Sequence, residues 1–321
     1  MSDDIDTVSS FDVGDALVDE RVDRAVSTVF GLARSEVARL ITEGGVLINR
    51  HPVRSKSRRL SLGEVVSVDL ASVRQVDEEV APDEHVPLDI VYQDSDLIVV
   101  DKRAGQVVHP GSGIQQGTMA AGLLARFPQV GELGEPQRPG VVHRLDVGTS
   151  GLMLFALSHA AFEGLGRMLR AHEITREYLA LVDGHFDHER GRIEAPIMRS
   201  QRDPRKMEVR SGGREAATNF EVLEMFSSPR PSSLIRARLE TGRTHQIRVH
   251  FAYLGHGVIG DELYGVPLDG LNRPFLHSAH LEFVHPVSGA SLTFDAPLPR
   301  GLDAHLANLR RAGSVVVGRS R

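Results

Sequence analysis

The 321-residue sequence contains no cysteine and no tryptophan, and only 5% of its residues are aromatic. The lack of cysteine excludes disulfide bonds and metal sites built from thiolates. No apolar run approaches the roughly 18 residues that a membrane-spanning helix needs. Residues 1–20 contain no Lys or Arg and no apolar stretch of the kind found in signal peptides. A cytoplasmic protein without membrane contact is therefore expected.

Charge is unevenly distributed along the chain. Residues 1–20 contain seven acidic side chains, so the net charge of −6 for the whole chain leaves +1 for the remainder. Within that remainder, residues 34–59 carry seven basic and two acidic side chains, and residues 199–214 carry six and two. Such clusters suit contacts with RNA phosphates, although many basic clusters are only solvated surface. The Asp- and Ser-rich residues 1–19 are predicted to be a disordered acidic tail.

Residues 20–70 are predicted to form a small domain of two helices and short strands. Apolar side chains at helical spacing precede Gly31, and EVARLITEG predicts a second helix that ends at Gly44. Two strand-like segments, VLIN and EVVSVDL, flank a basic loop. This order, with Leu40 and Asn49 at their expected places, resembles the S4 RNA-binding domain. The resemblance implies RNA contacts by Arg34, Arg39, Arg54, Lys56, Arg58 and Arg59.

Residues 71–80 are acidic and aperiodic, and they are predicted to be a linker that ends where a second domain begins at residue 81. In that domain, short β-branched runs separated by Asp and Gly predict strands, and LMLFALS predicts a buried one. Segments near 117–127 and 159–174 predict helices. No regular βαβ alternation appears, so the predicted fold class of residues 81–310 is α+β. Residues 311–321 are predicted to be a basic tail.

Two motifs in this domain carry the candidate chemistry. HRLDVGTSGLMLFALS, residues 143–158, places Asp146 between a basic pair and a Gly-Thr-Ser-Gly turn. ETGRTHQIRVH, residues 240–250, is rich in basic and polar side chains and alternates as a strand does. Both motifs resemble signature elements of the RluA-type pseudouridine synthases, which isomerise uridine in RNA. Together with the S4-like domain, the resemblance extends over about residues 20–300.

The resemblance implies a mixed or antiparallel sheet bent around a central cleft, in which uridine is converted to pseudouridine. The reaction breaks the N-glycosidic bond and rejoins the base through C5 without redox change, so no metal or other cofactor is expected. Asp146 is implied to be the nucleophile. Arg248 is implied to offset the desolvation of this carboxylate through its charge and a bidentate hydrogen bond.

Further site residues follow from the same resemblance. Tyr178 is implied to stack on the target base and help to move the C5 proton, unless it is only a core tyrosine. Ile247 is implied to line the pocket. Arg144 would either fill the stack vacated by a flipped base or contact a phosphate. His143 is assigned an orienting role beside the substrate.

An S4-like domain ahead of the catalytic domain resembles the RluD-like branch of the family. It implies 23S rRNA, or a large-subunit precursor, as the partner of a monomeric enzyme, while a tRNA target remains open. The residues also leave open whether attack falls on C6 or C1′ or whether a glycal forms. The alternative function is a non-catalytic S4-type RNA-binding or ribosome-assembly protein. The presence of Asp146, Tyr178 and Arg248 argues against it.

Enzyme classes with other motifs fit the sequence poorly. A serine hydrolase needs Gly-x-Ser-x-Gly, but Leu152 occupies the place of the second glycine. His245 and His250 are five residues apart and lack the acidic partner of an HExxH zinc site. A glycosidase needs two carboxylates, and Glu240 is the sole acid of the second motif.

Overall fold

The computed structural model describes residues 8–32, 34–70, 79–111, 114–203, 205–268 and 270–316. The chain divides into two compact units, residues 1–78 and 79–321. Most of the predicted linker lies outside the described residues. Val80 is already buried against Ala120 and Ala121, so the second unit begins slightly before residue 81. None of the described helices is long and apolar enough to cross a membrane.

In the described part of the N-terminal unit, two α-helices pack against a four-stranded antiparallel sheet. The first helix ends at Gly31, whose φ of +68° provides the left-handed turn predicted from the sequence. Apolar side chains on the inner faces of the helices and strands form one core. The elements are β1 Val8–Asp12, α1 Val22–Phe30, α2 Arg34–Glu43, β2 Val46–Ile48, β3 His51–Pro52 and β4 Val65–Asp69, with strand order β1-β4-β2-β3.

The prediction of a disordered tail over residues 1–19 is wrong for its second half. Val8–Asp12 forms β1 and pairs with β4, with Phe11 opposite Val66. The Phe11 ring lies 5.8 Å from that of Phe30, and Val13 is buried in the same core. A few apolar side chains and a free strand edge therefore outweigh the acidic composition. Residues 1–7 lie outside the described residues.

The C-terminal unit is built on a ten-stranded sheet with the order β16-β12-β13-β8-β14-β7-β6-β5, to which β9 and β15 add as side branches. All of its pairs are antiparallel except β14 with β7. The α+β class and the mixed sheet are thus confirmed. The ten strands are β5 Ile90–Gln93, β6 Leu97–Lys102, β7 Ser150–Ala156, β8 Thr175–Asp183, β9 Arg190–Glu194, β12 Ala217–Phe226, β13 Ser232–Leu239, β14 Leu276–Val284, β15 Ser291–Asp295 and β16 Ser314–Val316. Two further strands, β10 Ile197–Arg199 and β11 Met207–Val209, form a separate antiparallel pair.

The parallel pair of β14 and β7 is short and leaves part of the β7 edge open. β14 pairs with β7 only at Ser150 and Gly151 and then pairs with β15 instead. The edge of β7 that β14 leaves open is covered by residues 140–143, through a bridge between Val141 and Phe155. The segment that leads into Asp146 therefore lies directly against β7.

The described residues of this unit include four α-helices: α3 Met119–Arg126, α4 His159–Arg170, α5 Gln246–Tyr253 and α6 Arg300–Ala312. The first two were predicted, and Thr118 and Ser158 cap them with side-chain oxygens. The predicted strand over residues 240–250 is wrong, because Gln246–Tyr253 is helical. Residues 246–251 are all buried, so this helix has no polar face and its sequence shows no helical period.

The predicted basic tail over residues 311–321 is also wrong in part. α6 continues through Ala312, and β16 then pairs with β12, with Ser314 opposite Phe226. Arg310 holds the helix to the sheet through both oxygens of Glu224. Residues 317–321 lie outside the described residues.

Separate cores predict separate unfolding of the two units. Leu40 in α2 is fully buried, so Leu40→Ala should cost the N-terminal unit about 2–5 kcal/mol of unfolding free energy. Leu62 in the same unit is 64% exposed, and Leu62→Ala serves as the control. In differential scanning calorimetry, Leu40→Ala should lower one transition and leave the other in place. Equal displacement of both transitions would show that the two units unfold together.

Candidate active site

A cleft of about 570 Å³ in the C-terminal unit brings the two sequence motifs together. Its walls come from residues 142–149, from α4 and β8, and from residues 239–248. All six residues predicted to be catalytic or to bind the substrate line it. Two carboxylates, Asp146 and Glu215, face six guanidinium groups there: Arg144, Arg170, Arg176, Arg214, Arg243 and Arg248. This excess of positive charge suits a polyanionic ligand.

Asp146 lies in a tight loop whose backbone carbonyl oxygens accept hydrogen bonds from a buried lysine. The Lys102 ammonium donates hydrogen bonds to the carbonyl oxygens of Thr149 at 2.8 Å and Val147 at 3.3 Å. The Gly105 amide donates to the same Val147 oxygen at 2.7 Å. Burial lowers the pKa of Lys102 to about 7, while the nearby Asp146 carboxylate acts in the opposite direction. Lys102 was not among the residues predicted from the sequence to belong to the site.

Gly151 sets the position of this loop relative to the strands. Its φ is +109°, and a Cβ there would lie 2.2 Å from the carbonyl oxygen of Ser278 on β14. Ser278 in turn lies opposite Tyr178 on β8. The backbones of Gly151, Ser278 and Tyr178 are therefore side by side across three strands, and only glycine permits the first approach. This arrangement places Tyr178 beside the loop that carries Asp146.

Arg248 lies between two carboxylates. Its Nη1 donates to Oδ2 of Asp146 at 3.1 Å, whereas Nε and Nη2 donate to the two oxygens of Asp261 at 2.6 and 2.8 Å. The predicted contact with Asp146 is present, but the predicted bidentate geometry belongs to Asp261. Burial by itself would lower the pKa of Arg248, and the two carboxylates together raise it above its usual value.

Asp261 and Tyr264, which were not among the residues predicted from the sequence, form a layer that supports Arg248. Asp261 is fully buried and also accepts from the amides of Leu263 and Tyr264. The Tyr264 ring centre lies 5.0 Å from the guanidinium carbon of Arg248. The Tyr264 hydroxyl accepts from the Met207 amide and is also hydrogen-bonded to Nδ1 of His245, at 2.7 Å. The signal for this layer was the motif GDELYG, residues 260–265.

Tyr178 and Ile247 supply the apolar part of the cleft. Both are 4% exposed, and Leu169 and Leu276 lie beside them in the lining. Burial raises the pKa of the Tyr178 phenol, and the Asp146 carboxylate acts in the same direction. The phenol is therefore neutral at physiological pH.

His143 and Arg144 occupy different environments although they are neighbours in sequence. Nε2 of His143 accepts a hydrogen bond from the Leu154 amide at 2.9 Å. Burial, helped by the charge of Arg176, lowers the pKa of His143 to about 3, so its ring is neutral. The Arg144 side chain is exposed at the mouth of the cleft, with Nη1 3.5 Å from Nε2 of His109.

The six predicted RNA-binding residues of the N-terminal unit fall into two groups. Arg34, Arg54 and Lys56 are exposed to solvent. The others have intramolecular partners: Arg58 binds both oxygens of Glu64, Arg59 binds Asp19 and Arg39 lies near Glu43. The Arg58 hydrogen bonds lower the pKa of Glu64 to about 2.

One group of side chains outside the cleft has the spacing of metal ligands among the described residues, namely Asp94, Asp96 and His285. Nδ1 of His285 accepts from the amides of Val287 and Ser288, so its proton lies on Nε2. Nε2 donates to Asp94 at 3.0 Å. Both ring nitrogens are thus occupied in joining two turns, and the group does not fit a metal ion.

Comparison with known proteins places both units. Residues 96–253 match the family model for RNA pseudouridylate synthase, and residues 20–66 match that for the S4 domain. An uncharacterized RNA pseudouridine synthase of Bacillus subtilis is 38% identical over 92% of this chain and 95% of its own length. Ribosomal large subunit pseudouridine synthase D of Xanthomonas campestris is 39% identical over 93% of this chain and 91% of its own.

A solved structure agrees with the sequence matches. Human RNA pseudouridylate synthase domain containing 1 superimposes with a TM-score of 0.53 and 29% identity, covering 71% of this chain and 97% of its own. Asp146, Tyr178 and Arg248 all fall inside the matched catalytic region. The non-catalytic alternative is therefore disfavoured. The chain belongs to the RNA pseudouridine synthase family, and it is an RNA isomerase with an S4 domain ahead of its catalytic domain.

Proposed function

We propose that this enzyme converts specific uridines of large-subunit ribosomal RNA to pseudouridine, with Asp146 as the nucleophile. The observation that carries the proposal is the carboxylate of Asp146, held 3.1 Å from Arg248 in a basic cleft. Relatives from Xanthomonas, Yersinia and Vibrio that match over at least 90% of this chain are named ribosomal large subunit pseudouridine synthase D. A ribosomal target makes the cytoplasm the expected compartment, and we expect a monomer.

The target nucleotide must leave its stack to reach Asp146, because the carboxylate is largely buried within the cleft. Arg144 at the mouth is suited either to fill the vacated stack or to hold a phosphate. Inside the cleft, Tyr178 and Ile247 would enclose the flipped base with apolar surface. Arg170, Arg214 and Arg243 are available to the phosphates on either side.

Asp146 would attack the nucleotide at C6 or C1′, or stabilise the sugar while the base is detached. Arg248 would keep the carboxylate oriented, since its other two N–H groups are fixed by Asp261. The raised pKa of Tyr178 keeps its phenol protonated. Tyr178 is therefore suited to donate a hydrogen bond to the base, and a second group would have to accept the C5 proton.

Transcriptome-wide mapping of pseudouridine tests the choice of RNA. In cells that lack the gene, one or more sites in the large-subunit rRNA should lose pseudouridine, and re-expression of the wild-type protein should restore them. Loss confined to tRNA would contradict the proposed target but not the family. The mapped position also defines the substrate for the measurements below.

The nucleophile is tested by Asp146→Asn. The amide keeps the size of the side chain, and Arg248 remains paired with Asp261, so folding and RNA affinity should be retained. Turnover should fall below detection, because no other group can supply the chemistry of the carboxylate. A tritium-release or mass-spectrometric assay on the mapped RNA measures the product. Pseudouridine formed by the purified variant would disprove the assignment.

The orienting role of Arg248 is tested by Arg248→Lys. Lysine keeps the charge but loses the planar fork, so it cannot hold Asp261 and Asp146 in the same geometry. We expect at least a tenfold lower rate, about 1.4 kcal/mol of barrier, with a smaller effect on RNA binding. Arg236→Lys, an exposed arginine on β13, is the matched control. Equal rates for the wild type and Arg248→Lys would show that Arg248 does not orient Asp146.

RNA anchoring by the N-terminal unit is tested by the salt dependence of binding. Arg54 and Lys56 are exposed, so replacing both by Gln should flatten the log–log salt slope by about two units if each contacts a phosphate. The matched control replaces two exposed arginines of the C-terminal unit, Arg126 and Arg138. Slopes that agree between the wild type and the Arg54/Lys56 double variant would refute the anchoring role.

A further inference from the structure

Three residues that line the cleft each have a buried side-chain polar atom without a hydrogen-bond partner. Four such side-chain atoms occur in the described part of the chain, and three of them line this one cleft: Nδ1 of His143, Oγ1 of Thr149 and Nε of Arg176. Buried polar groups in native proteins are almost always paired, and an unpaired one is destabilising. Their concentration at one place points to a ligand that completes them.

Arg176 is the most unusual of the three. Arg176 is 5% exposed and lies on the face of β8 that also carries Tyr178. No carboxylate of the described residues forms an ion pair with it. A Cβ added at Gly242, the glycine of the TGR segment, would lie 3.1 Å from Nη1 of Arg176. Glycine at this position therefore leaves room for the guanidinium group. Burial lowers the pKa of Arg176, yet a guanidinium remains charged at neutral pH. A buried cation without a partner is costly unless it serves a ligand.

The tautomer of His143 provides a second donor. Because Nε2 accepts from the Leu154 amide, the single proton of the neutral ring lies on Nδ1. Nδ1 is the atom without a partner. The charge of Arg176 contributes to lowering the pKa of the His143 ring. Two residues that line the cleft therefore carry N–H donors without partners, and a third, Thr149, carries a hydroxyl that can donate or accept.

Uracil has the complementary pattern. Its edge away from C6 presents the acceptor O4, the donor N3–H and the acceptor O2. The Tyr178 phenol is within electrostatic reach of both Asp146 and Arg176. A base that packs at Tyr178 and reacts at Asp146 would thus extend toward Arg176, two residues away on the same strand face and about 6.6 Å along it.

We propose that Arg176 and His143 bind the uracil ring itself, with Nε–H and Nδ1–H donating to its two carbonyl oxygens. The inference rests on the proposed function and extends it from chemistry to base recognition. During isomerisation the N1–C1′ bond breaks, the C5–C1′ bond forms, the C5 proton leaves and N1 gains a proton. The Thr149 hydroxyl is suited to accept from N3–H.

This arrangement would hold the ring before and after it turns. Rotation by half a turn about the line through N3 and C6 exchanges N1 with C5 and O2 with O4, and it leaves N3–H in place. The same two donors therefore meet a carbonyl oxygen in either orientation. Cytosine would be rejected, because its amino group at C4 would place a donor against a donor.

The inference is tested by combining enzyme variants with altered bases. The RNA carries uridine, 2-thiouridine or 4-thiouridine at the position mapped for the wild-type enzyme, since sulfur is a weaker acceptor than oxygen. Arg176→Met removes the charge and the donors at similar length, and Arg176→Lys keeps the charge without Nε–H. Arg238→Met is the matched control, because Arg238 is exposed on the neighbouring strand β13.

We expect Arg176→Met and Arg176→Lys to lower kcat/KM on the uridine RNA at least tenfold, while Arg238→Met leaves it unchanged. At least one thio substitution should slow the wild type and have little further effect in Arg176→Met, since both changes remove the same hydrogen bond. The melting temperature of Arg176→Met should be equal or higher, because an unpaired buried charge is removed. If Arg176 had only a structural role, Arg176→Met would have a lower melting temperature than the wild type.

Two results would overturn the inference. One is a thio effect of the same size in wild type and Arg176→Met. The other is a salt slope of RNA binding that Arg176→Met flattens by about one unit, which would identify a phosphate contact instead. If mapping finds the target in another RNA class, the proposed function is corrected while the thio series on that RNA still decides the role of Arg176.

Discussion

The active site depends on one arginine that two carboxylates share. A buried guanidinium is costly to desolvate and becomes stable only when its N–H groups are paired. Asp261 satisfies two of them in a bidentate contact, and this leaves Nη1 for Asp146. Asp261, 115 positions after Asp146 in the chain, therefore fixes the orientation of Asp146. It acts through Arg248 on α5, a helix without a polar face. Tyr264 and His245 support the same arginine from behind.

The cleft combines this satisfied network with groups that the protein leaves unsatisfied. The Lys102 ammonium group donates hydrogen bonds to backbone carbonyl oxygens and holds the Asp146 loop in place. Arg176, by contrast, has no partner for Nε and lies beside a neutral phenol and a neutral imidazole. The paired groups, such as Lys102, make the site rigid and position Asp146. The unpaired donors, such as Nε of Arg176, remain available for hydrogen bonds to a ligand.

Much of the fold could be predicted because its elements satisfy local rules. α1 ends at a glycine with left-handed φ, α3 and α4 begin at hydroxyl caps, and β7 is a short apolar run. The errors occurred where burial or pairing overrides local pattern. α5 is buried throughout residues 246–251 and so lacks a helical period, and β1 is an acidic segment that pairs with a free sheet edge. Sequence periodicity reports an element's exposure as much as its conformation.

The sequence by itself determined the two domains, the family and part of the cleft, since His143, Arg144, Asp146, Ile247 and Arg248 lie in two motifs whose letters are specific. Only the tertiary structure decided which partner each of them has. Arg248 grips Asp261 more fully than Asp146, Arg58 is occupied by Glu64, and Arg176 is left unpaired. Hydrogen-bond partners are chosen by distances of about 3 Å between segments far apart in the chain, and no local pattern encodes them.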